Sequence, residues 1–303
     1  MNGKKPGLSS VVFAYVGSGA NVDVLKFSHE KGLFKKHALD MTLIYVADGT
    51  VSTQAVISGR AAAATAPVTD VIAAIAKGAP LKIVMVNIDR FDYLFMAKAE
   101  ISDLSDLRGK KIAVSRKGSV SETGTRFFLR QAGLNPDIDA QFLHLGNAAA
   151  RAAALSGGLA DAAAVTSSFV PVAKKAGFHV IFDMSTTQAR FANRSVVVND
   201  RLIKDQPDAV KAIVAGFVEG TKYWKASPVE AKAYLKRLNK LPDADINNIY
   251  SETCKFMRSE PTPDLDGIQN AWESIPGHQP LGIANFRKFV DARFVAEVLK
   301  EIK

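Results

Sequence analysis

Two Gly-Ser pairs, Gly17-Ser18 and Gly118-Ser119, each follow a short apolar run and precede a helical pattern. A turn of this kind brings a hydroxyl and the unpaired N–H groups of a helix start to one point, with partial positive charge from the helix dipole. An anion or a carbonyl oxygen can dock there. In the first turn Ser18 and Asn21 are the candidates. In the second, Ser119 is placed to cap the helix together with Glu122, which leaves Ser121 to face a ligand. The competing reading is that both turns are plain caps. Thr65 and Thr166 stand at later strand ends, and Thr50 and Asn147 at intermediate ones, where N-capping and ordinary turn chemistry also account for them. Arg90, Arg116, Arg126, Arg190 and Arg194 are the cations nearest the expected cleft. A guanidinium fork fits carboxylate or sulfonate oxygens, although each arginine can equally be solvated or paired with an acid. Phe91, Tyr93 and Phe191 either wall a ligand or pack a hinge.

Catalytic and metal chemistry is poorly represented. Gly17-Ser18-Gly19 continues with Ala20-Asn21-Val22, so the dinucleotide fingerprint lacks its third glycine, and no P-loop or nucleophile elbow occurs. His29, His37, His144, His179 and His278 form no pair at metal-ligand spacing. Cys254 is the single cysteine, which excludes an internal disulfide and a multi-thiolate zinc site. No metal and no cofactor is expected. Asp48, Asp89, Asp92 and Glu122 are the acids that an enzyme built around the expected ligand cleft would have to use.

The elements that must position these residues come as a repeat. The stretches 11–86 and 111–182 carry the same landmarks in the same order: Gly17 and Gly118, Gly32 and Gly133, Gly49 and Gly146, Gly59 and Gly157, Thr65 and Thr166, Gly78 and Gly177. The spacing of roughly one hundred residues is the size of a domain lobe and too long for a solenoid unit. Strand-like runs alternating with helical patterns predict βαβ units and a parallel sheet in each lobe. Right-handed crossovers then put every strand-to-helix turn on one sheet edge, where open α/β sheets bind ligands. The segments 89–97 and 190–198 read as the two crossings between lobes. Beyond Asn199 the chain reads as helical: Pro207 suits a helix start, Ser227-Pro228-Val229-Glu230 reads as a capping box, and a last helix covers 289–299. These helices are expected to pack back onto the first lobe. The fold class is therefore α/β, with two similar doubly wound lobes joined by two crossover segments. Lobe one comprises 1–95 and 196–303, and lobe two comprises 96–195.

Composition agrees with a folded protein: 303 residues, 48% hydrophobic and 23% charged. The most apolar stretch, 61–76, holds Pro67 and Asp70 and follows Arg60, so no spanning helix is predicted. The net charge of +9 has no long run of one sign. Nucleic-acid binders concentrate such charge in a stripe, so an anionic small ligand is the better expectation. The start, Met1-Asn2-Gly3-Lys4-Lys5-Pro6-Gly7, lacks an apolar segment of the secretory type, which fits either a cytoplasmic protein or a mature exported domain.

Lys111-Ile112-Ala113-Val114-Ser115-Arg116-Lys117-Gly118-Ser119, then Leu155-Ser156-Gly157-Gly158-Leu159-Ala160-Asp161-Ala162, Lys175-Ala176-Gly177-Phe178 and Val196-Val197-Val198-Asn199, occur in an order that resembles the substrate-binding proteins of ABC importers. The similarity is to the nitrate, sulfonate and taurine type, including thiamine-precursor-like binders, and it extends from about Val11 to about Ala271. The resemblance implies a periplasmic-binding fold of the second type, export to the periplasm with the signal removed, a monomer, and an ABC permease and ATPase as membrane partners. It also implies a ligand held between the lobes by the loops after their strands, which corresponds here to Ser18, Thr50, Thr65, Ser119, Ser121 and Thr166. One branch of the family is a yeast-type pyrimidine synthase that consumes its own histidine and carries a cysteine-rich motif, which a chain with one cysteine does not match. The expected function is a receptor for a small organic anion, an aromatic or heterocyclic carboxylate or a sulfonate. The candidate ligand-binding residues are Ser18, Asn21, Thr50, Thr65, Arg90, Phe91, Ser119, Ser121, Asn147, Thr166 and Arg194. The alternatives are an enzyme on the same fold, such as a small dehydratase or lyase, and the sensing domain of a regulator.

Overall fold

A computed structural model describes residues 9–187, 190–275, 277 and 281–302. The polar lead 1–7 and His278 lie outside these. Ten strands alternate with helices in the first two thirds of the chain: β1 (Ser9–Val16), α1 (Ala20–Glu30), α2 (Leu33–Lys36), β2 (Leu39–Val46), α3 (Gly49–Ile57), β3 (Ala63–Pro67), α4 (Val68–Ala76), β4 (Leu81–Ile88), β5 (Leu94–Ala97), β6 (Lys110–Val114), α5 (Val120–Gln131), β7 (Ala140–His144), α6 (Ala148–Ser156), β8 (Ala162–Val165), α7 (Val170–Lys175), β9 (His179–Asp183) and β10 (Arg194–Asn199). The remainder is helical: α8 (Asp200–Asp205), α9 (Pro207–Ala226), α10 (Pro228–Asn239), α11 (Asp243–Phe256), α12 (Leu265–Glu273), α13 (Ile283–Phe286) and α14 (Arg293–Glu301).

The strands form two five-stranded sheets of one topology, β2-β1-β3-β10-β4 and β7-β6-β8-β5-β9. The repeat read in the sequence is this duplication, with α2 the one helix that the second copy lacks. The sheets are not purely parallel, which corrects the expectation. β10 runs antiparallel between β3 and β4, and β5 runs antiparallel between β8 and β9. The reason is connectivity. Each crossing segment enters the sheet it is joining from the cleft side, so its strand must run against the βαβ strands already there. β1 and β6 sit where each strand order reverses, and their C-terminal ends open onto the crevice favoured for ligands in such sheets.

Central strands covered on both faces read as unbroken apolar runs. β3 and β8 are fully buried and consist mostly of alanine, which leaves room for α3 and α6 beside them. Two helices of the tail pack on the first sheet. α9 and α14 bury Phe217, Val210, Ile213, Phe294 and Val298 against Phe13, Leu39 and Met41 of that sheet. α9 approaches so closely that a Cβ at Gly216 would run into Phe34, and one at Gly220 into Ser28. Pro207 does open α9. The capping box at Ser227 does not form: its side chain makes no cap bond, and Glu230 instead accepts from Lys31 and Tyr223. Among the described residues no helix is long and apolar enough to cross a membrane.

Candidate functional site

The first turns of the two sheets face one cavity of about 220 Å³. Gly17 and Ser18 come from the β1–α1 turn, and Ser115, Arg116 and Ser119 from the β6–α5 turn. The halves nearly touch: a Cβ placed on Gly19 would lie 3.5 Å from Cβ of Thr166. Asn147, at the start of α6, and Thr166, just past β8, complete the wall on the second side. Tyr45, Asp48, Gly49 and Pro67 line the first, and Tyr93 and Arg194 stand on the crossings.

The local chemistry of the two turns differs. Ser119 caps α5 by accepting from the Glu122 N–H, and Glu122 accepts from the Gly118 N–H at 2.6 Å. Ser121 is fully buried, accepts from the Ser115 N–H at 2.9 Å and lies 3.0 Å from the Ser119 hydroxyl. It stitches the turn together and does not reach the cavity, because its place in the first turn of α5 points it back under β6. Gly19, by contrast, is the N-cap of α1, so no side chain takes the first N–H groups of that helix. Ser18, next to this cap, lines the cavity.

Two cations dominate the interior. Arg151 of α6 is 3% exposed and donates to the carbonyls of Ala164 (2.8 Å) and Gly146 (2.7 Å). Its guanidinium also stands 5.8 Å from the Tyr93 ring centre. Burial pushes its pKa down, more than Tyr93 and Asp92 push it up. Arg194 is partly buried and donates to the Tyr93 hydroxyl at 3.0 Å. Burial weighs against its charge, but Tyr93, Asp92 and Asp70 outweigh it, and its pKa is raised. Among the described residues neither arginine has a carboxylate within ion-pair distance. Arg116 does: it holds Asp70 of α4. Asp92 is buried beneath the crossings and accepts from Asn193 at 2.8 Å.

Ser18, Ser119, Asn147, Thr166 and Arg194 are thus brought together. Six of the sequence-picked residues are not brought to this cavity. Asn21 is turned inward to Asn87 of β4. Thr50 is exposed, with its N–H on Asp48. Thr65 is fully buried within β3. Arg90 pairs at the surface with Asp89. Ser121 braces its own turn. Phe91 stacks on Phe191 with ring centres 4.1 Å apart, at a separate, larger cavity of about 720 Å³ between α5 and α12. Arg151 and Tyr45 were missed. A signal for Arg151 exists: it shares one helix face with Ala148, Ala152 and Leu155, all buried, so an arginine there must find polar company indoors. Tyr45 carries no comparable signal, being an aromatic in a strand.

The acids that an enzyme would need are all engaged. Asp48 caps α3 through the Thr50 and Val51 N–H groups, Asp89 holds Arg90 and Arg258, Asp92 holds Asn193, and Glu122 holds Gly118 and Arg126. Among the described residues no group of three or more His, Cys, Asp or Glu is placed to hold a metal ion.

The family described as NMT1/THI5 like matches residues 24–231, more than half of the chain. The chain belongs to the NMT1/THI5-like family. A Brucella abortus chain described as a binding protein is 24% identical to this family member over 269 residues, covering 86% of this chain and 81% of that one. The nitrate-binding protein NrtA from Synechocystis PCC 6803 superposes with a TM-score of 0.80 at 13% identity, over 98% of this chain and 89% of NrtA. The alkanesulfonate-binding protein SsuA from Xanthomonas axonopodis pv. citri, bound to MOPS, gives 0.75 at 16%, over 96% and 98%. The desulfurization enzyme DSZB gives 0.68 at 11%, over 96% and 99%. At these identities the superpositions establish the periplasmic-binding fold for this NMT1/THI5-like chain. They also show that the fold carries both receptors and an enzyme.

Proposed function

We propose that this chain is the solute receptor of an ABC uptake system. It binds a small organic anion, an aromatic or heterocyclic carboxylate or a sulfonate, between lobe one (1–95 with 196–303) and lobe two (96–195). The observation that carries the reading is the pair Arg151 and Arg194, two guanidinium groups on one cavity with no carboxylate in contact. Both guanidinium groups are held by neutral acceptors only, carbonyls for Arg151 and the Tyr93 hydroxyl for Arg194, and an incoming anion would supply the opposite charge. The Ser18 hydroxyl and the uncapped start of α1 add donors, and Tyr45 and Tyr93 add flat walls that favour an aromatic or heterocyclic acid. Asp92 and Asp48 offset part of the positive charge, which suits a ligand with one acidic group. The relatives' names agree in kind, since nitrate and alkanesulfonates are anions. Binding would favour the closed arrangement of the lobes, which a permease would then recognise at the periplasmic face of a membrane. The receptor acts as a monomer and leaves its ligand chemically unchanged. The engagement of Asp48, Asp89, Asp92 and Glu122 supports receptor over enzyme.

A melting panel of carboxylates, sulfonates, pyrimidines, cations and neutral sugars tests this. A ligand at one hundred times its Kd stabilises by about 2.7 kcal/mol. Arg194→Met and Arg151→Met are each expected to weaken the anion that scores by about 1.5–3 kcal/mol, the worth of a charge-assisted hydrogen bond. Stabilisation by sugars or cations alone would sink the anion reading. Recovery of a chemically altered ligand by mass spectrometry would favour the enzyme.

A further inference from the structure

The larger cavity, of about 720 Å³, has the usual size of a small-molecule pocket, and among the described residues it shares no wall with the first. Two glycines bring its sides down onto the crossings. A Cβ at Gly124 would lie 3.0 Å from the Phe91 ring, so the glycine lets α5 rest on the first crossing. A Cβ at Gly267 would lie 3.1 Å from the Ala192 nitrogen, so α12 settles on the second, where Asn270 also donates to the Arg190 carbonyl at 2.7 Å. Between the two helices stand three phenyl rings. Phe91 is nearly parallel to Phe191, with centres 4.1 Å apart and 24° between planes, and to Phe127, at 6.2 Å and 22°. Phe91 and Phe191 are buried, whereas Phe127 is only partly so. Because both sides rest on the crossings, a rotation of the lobes about those segments moves this cavity less than it moves the distant mouth of the cleft.

Among the described residues four cations and three acids line this cavity, and most of that charge is already matched. Arg126 donates to Glu122 at 2.9 Å and to Asp137 at 2.6 Å. Arg190 pairs with Asp264 at 3.3 Å. Glu273, exposed on the α12 side, accepts from Gln269. Arg130 and Lys117 remain. Both are exposed, and among the described residues neither has a carboxylate within ion-pair distance. Arg130 follows Phe127 by three residues on α5, so guanidinium and ring share one helix face. We propose that this cavity is a second ligand site, distinct from the one between the Gly-Ser turns, and that it takes a planar aromatic monoanion whose ring lies against Phe127 and whose acid group bonds to Arg130. Such a ligand uses both features at once: aromatic faces gain from offset stacking, and a guanidinium fork takes two acid oxygens together. The surplus of one cation over the acids suits a single negative charge. Lys117 precedes α5, at the far end of that side from Arg130, and contributes long-range attraction without contact.

Calorimetric titration of the full chain with 1-naphthoate tests this. A binding event is expected that persists in Arg194→Met and that Arg130→Gln weakens about tenfold or more, the loss of a charge-assisted hydrogen bond. Phe127→Leu is expected to weaken it about threefold through the lost ring contact. Lys117→Gln is expected to weaken it by less than about twofold, as for an exposed charge without contact. Arg130 and Lys117 are exposed and unpaired, so their variants should melt with the parent, which separates lost binding from lost folding. 1-Naphthalenemethanol, the same ring system without the charge, is expected to bind about tenfold more weakly than the acid. The site and the receptor reading fail separately. Naphthoate binding that Arg194→Met abolishes and Arg130→Gln leaves intact belongs to the first cavity; it overturns the second site while anion binding at the first stands. Binding weakened by Arg130→Gln and untouched by Arg194→Met supports the second site, whatever the first cavity takes. No naphthoate binding by the parent, affinity unchanged in Arg130→Gln, or equal binding of acid and alcohol overturns the proposal.

Discussion

The β1–α1 and β6–α5 turns share a Gly-Ser signature, a place in their sheet and a cavity, yet they are built for different tasks. The second turn is closed on itself. Ser119 caps α5, Glu122 takes the Gly118 N–H, and Ser121 ties the turn back to Ser115. The first turn is held by its backbone. Gly17 and Gly19 both adopt positive φ, at 85° and 83°, and the Val22 and Asp23 N–H groups bond to the Gly19 carbonyl. No side chain caps α1, and Ser18 lines the cavity. A polar residue at a helix start is a cap when its neighbours supply the reciprocal partner, as Glu122 does for Ser119. Without such a neighbour it stays available for something else. One turn is a rigid buttress, and the other is where the chain keeps its donors free.

The largest expected difference concerns the acids at the two helix starts. Glu122 of α5 is tied to Gly118 and Arg126, whereas Asp23 of α1 is pushed up to about 7 by burial, more than Lys26 lowers it. A carboxyl that holds its proton more tightly when folded makes the unfolded state the weaker proton binder between its two pKa values. Stability therefore falls as pH rises from about 4 to about 7, by up to about 1.4 kcal/mol per pH unit from this group. Below about 4 both states are protonated and the contribution vanishes. Asp23→Asn should flatten the melting temperature across that window and raise it at pH 7. A parent slope that survives the substitution would remove Asp23 from the account.

A smaller effect separates the serines. Ser119→Ala should cost about 1 kcal/mol of stability through the lost cap. Ser18→Ala should leave the melting temperature of the free protein in place and weaken the ligand by about 1 kcal/mol, one neutral hydrogen bond. Melting curves together with calorimetric titration test both, and equal behaviour of the two variants would erase the contrast drawn here. The smallest effect is expected at Arg90, which is 42% exposed and paired with Asp89, away from the cavity. Arg90→Ala should change affinity by less than about 0.5 kcal/mol. A larger loss would bring Arg90 back among the ligand's partners.

The duplication was legible because it rests on local rules. Glycines such as Gly118 and Gly133 mark positions of positive φ, apolar runs mark buried strands, and both recur in each half in the same order. Ser18, Ser119, Asn147 and Thr166 could be picked for the same reason, since a strand's C-terminal end in a βαβ unit has a known edge. Thr65 and Asn21 were picked by the same logic yet point into the sheets. A side chain's direction depends on pleat and helix phase at single-residue precision, which a turn motif does not specify. Arg151 went unnoticed because its role comes from strands remote in sequence.

From sequence alone follow the two-fold repeat of βαβ units, the crossings at 89–97 and 190–198, the helical tail, and the sheet edge that carries the strand-to-helix turns. These come from near-neighbour physics: periodicity, turn chemistry and chain connectivity. The tertiary structure alone decides that the crossing strands run antiparallel inside each sheet, that Arg151 and Arg194 share a cavity without a carboxylate in contact, and that Asp70 reaches Arg116 across it. Each of these depends on groups far apart in the chain being brought within a few ångströms, and such meetings are set by how the two sheets pack rather than by any local pattern of residues.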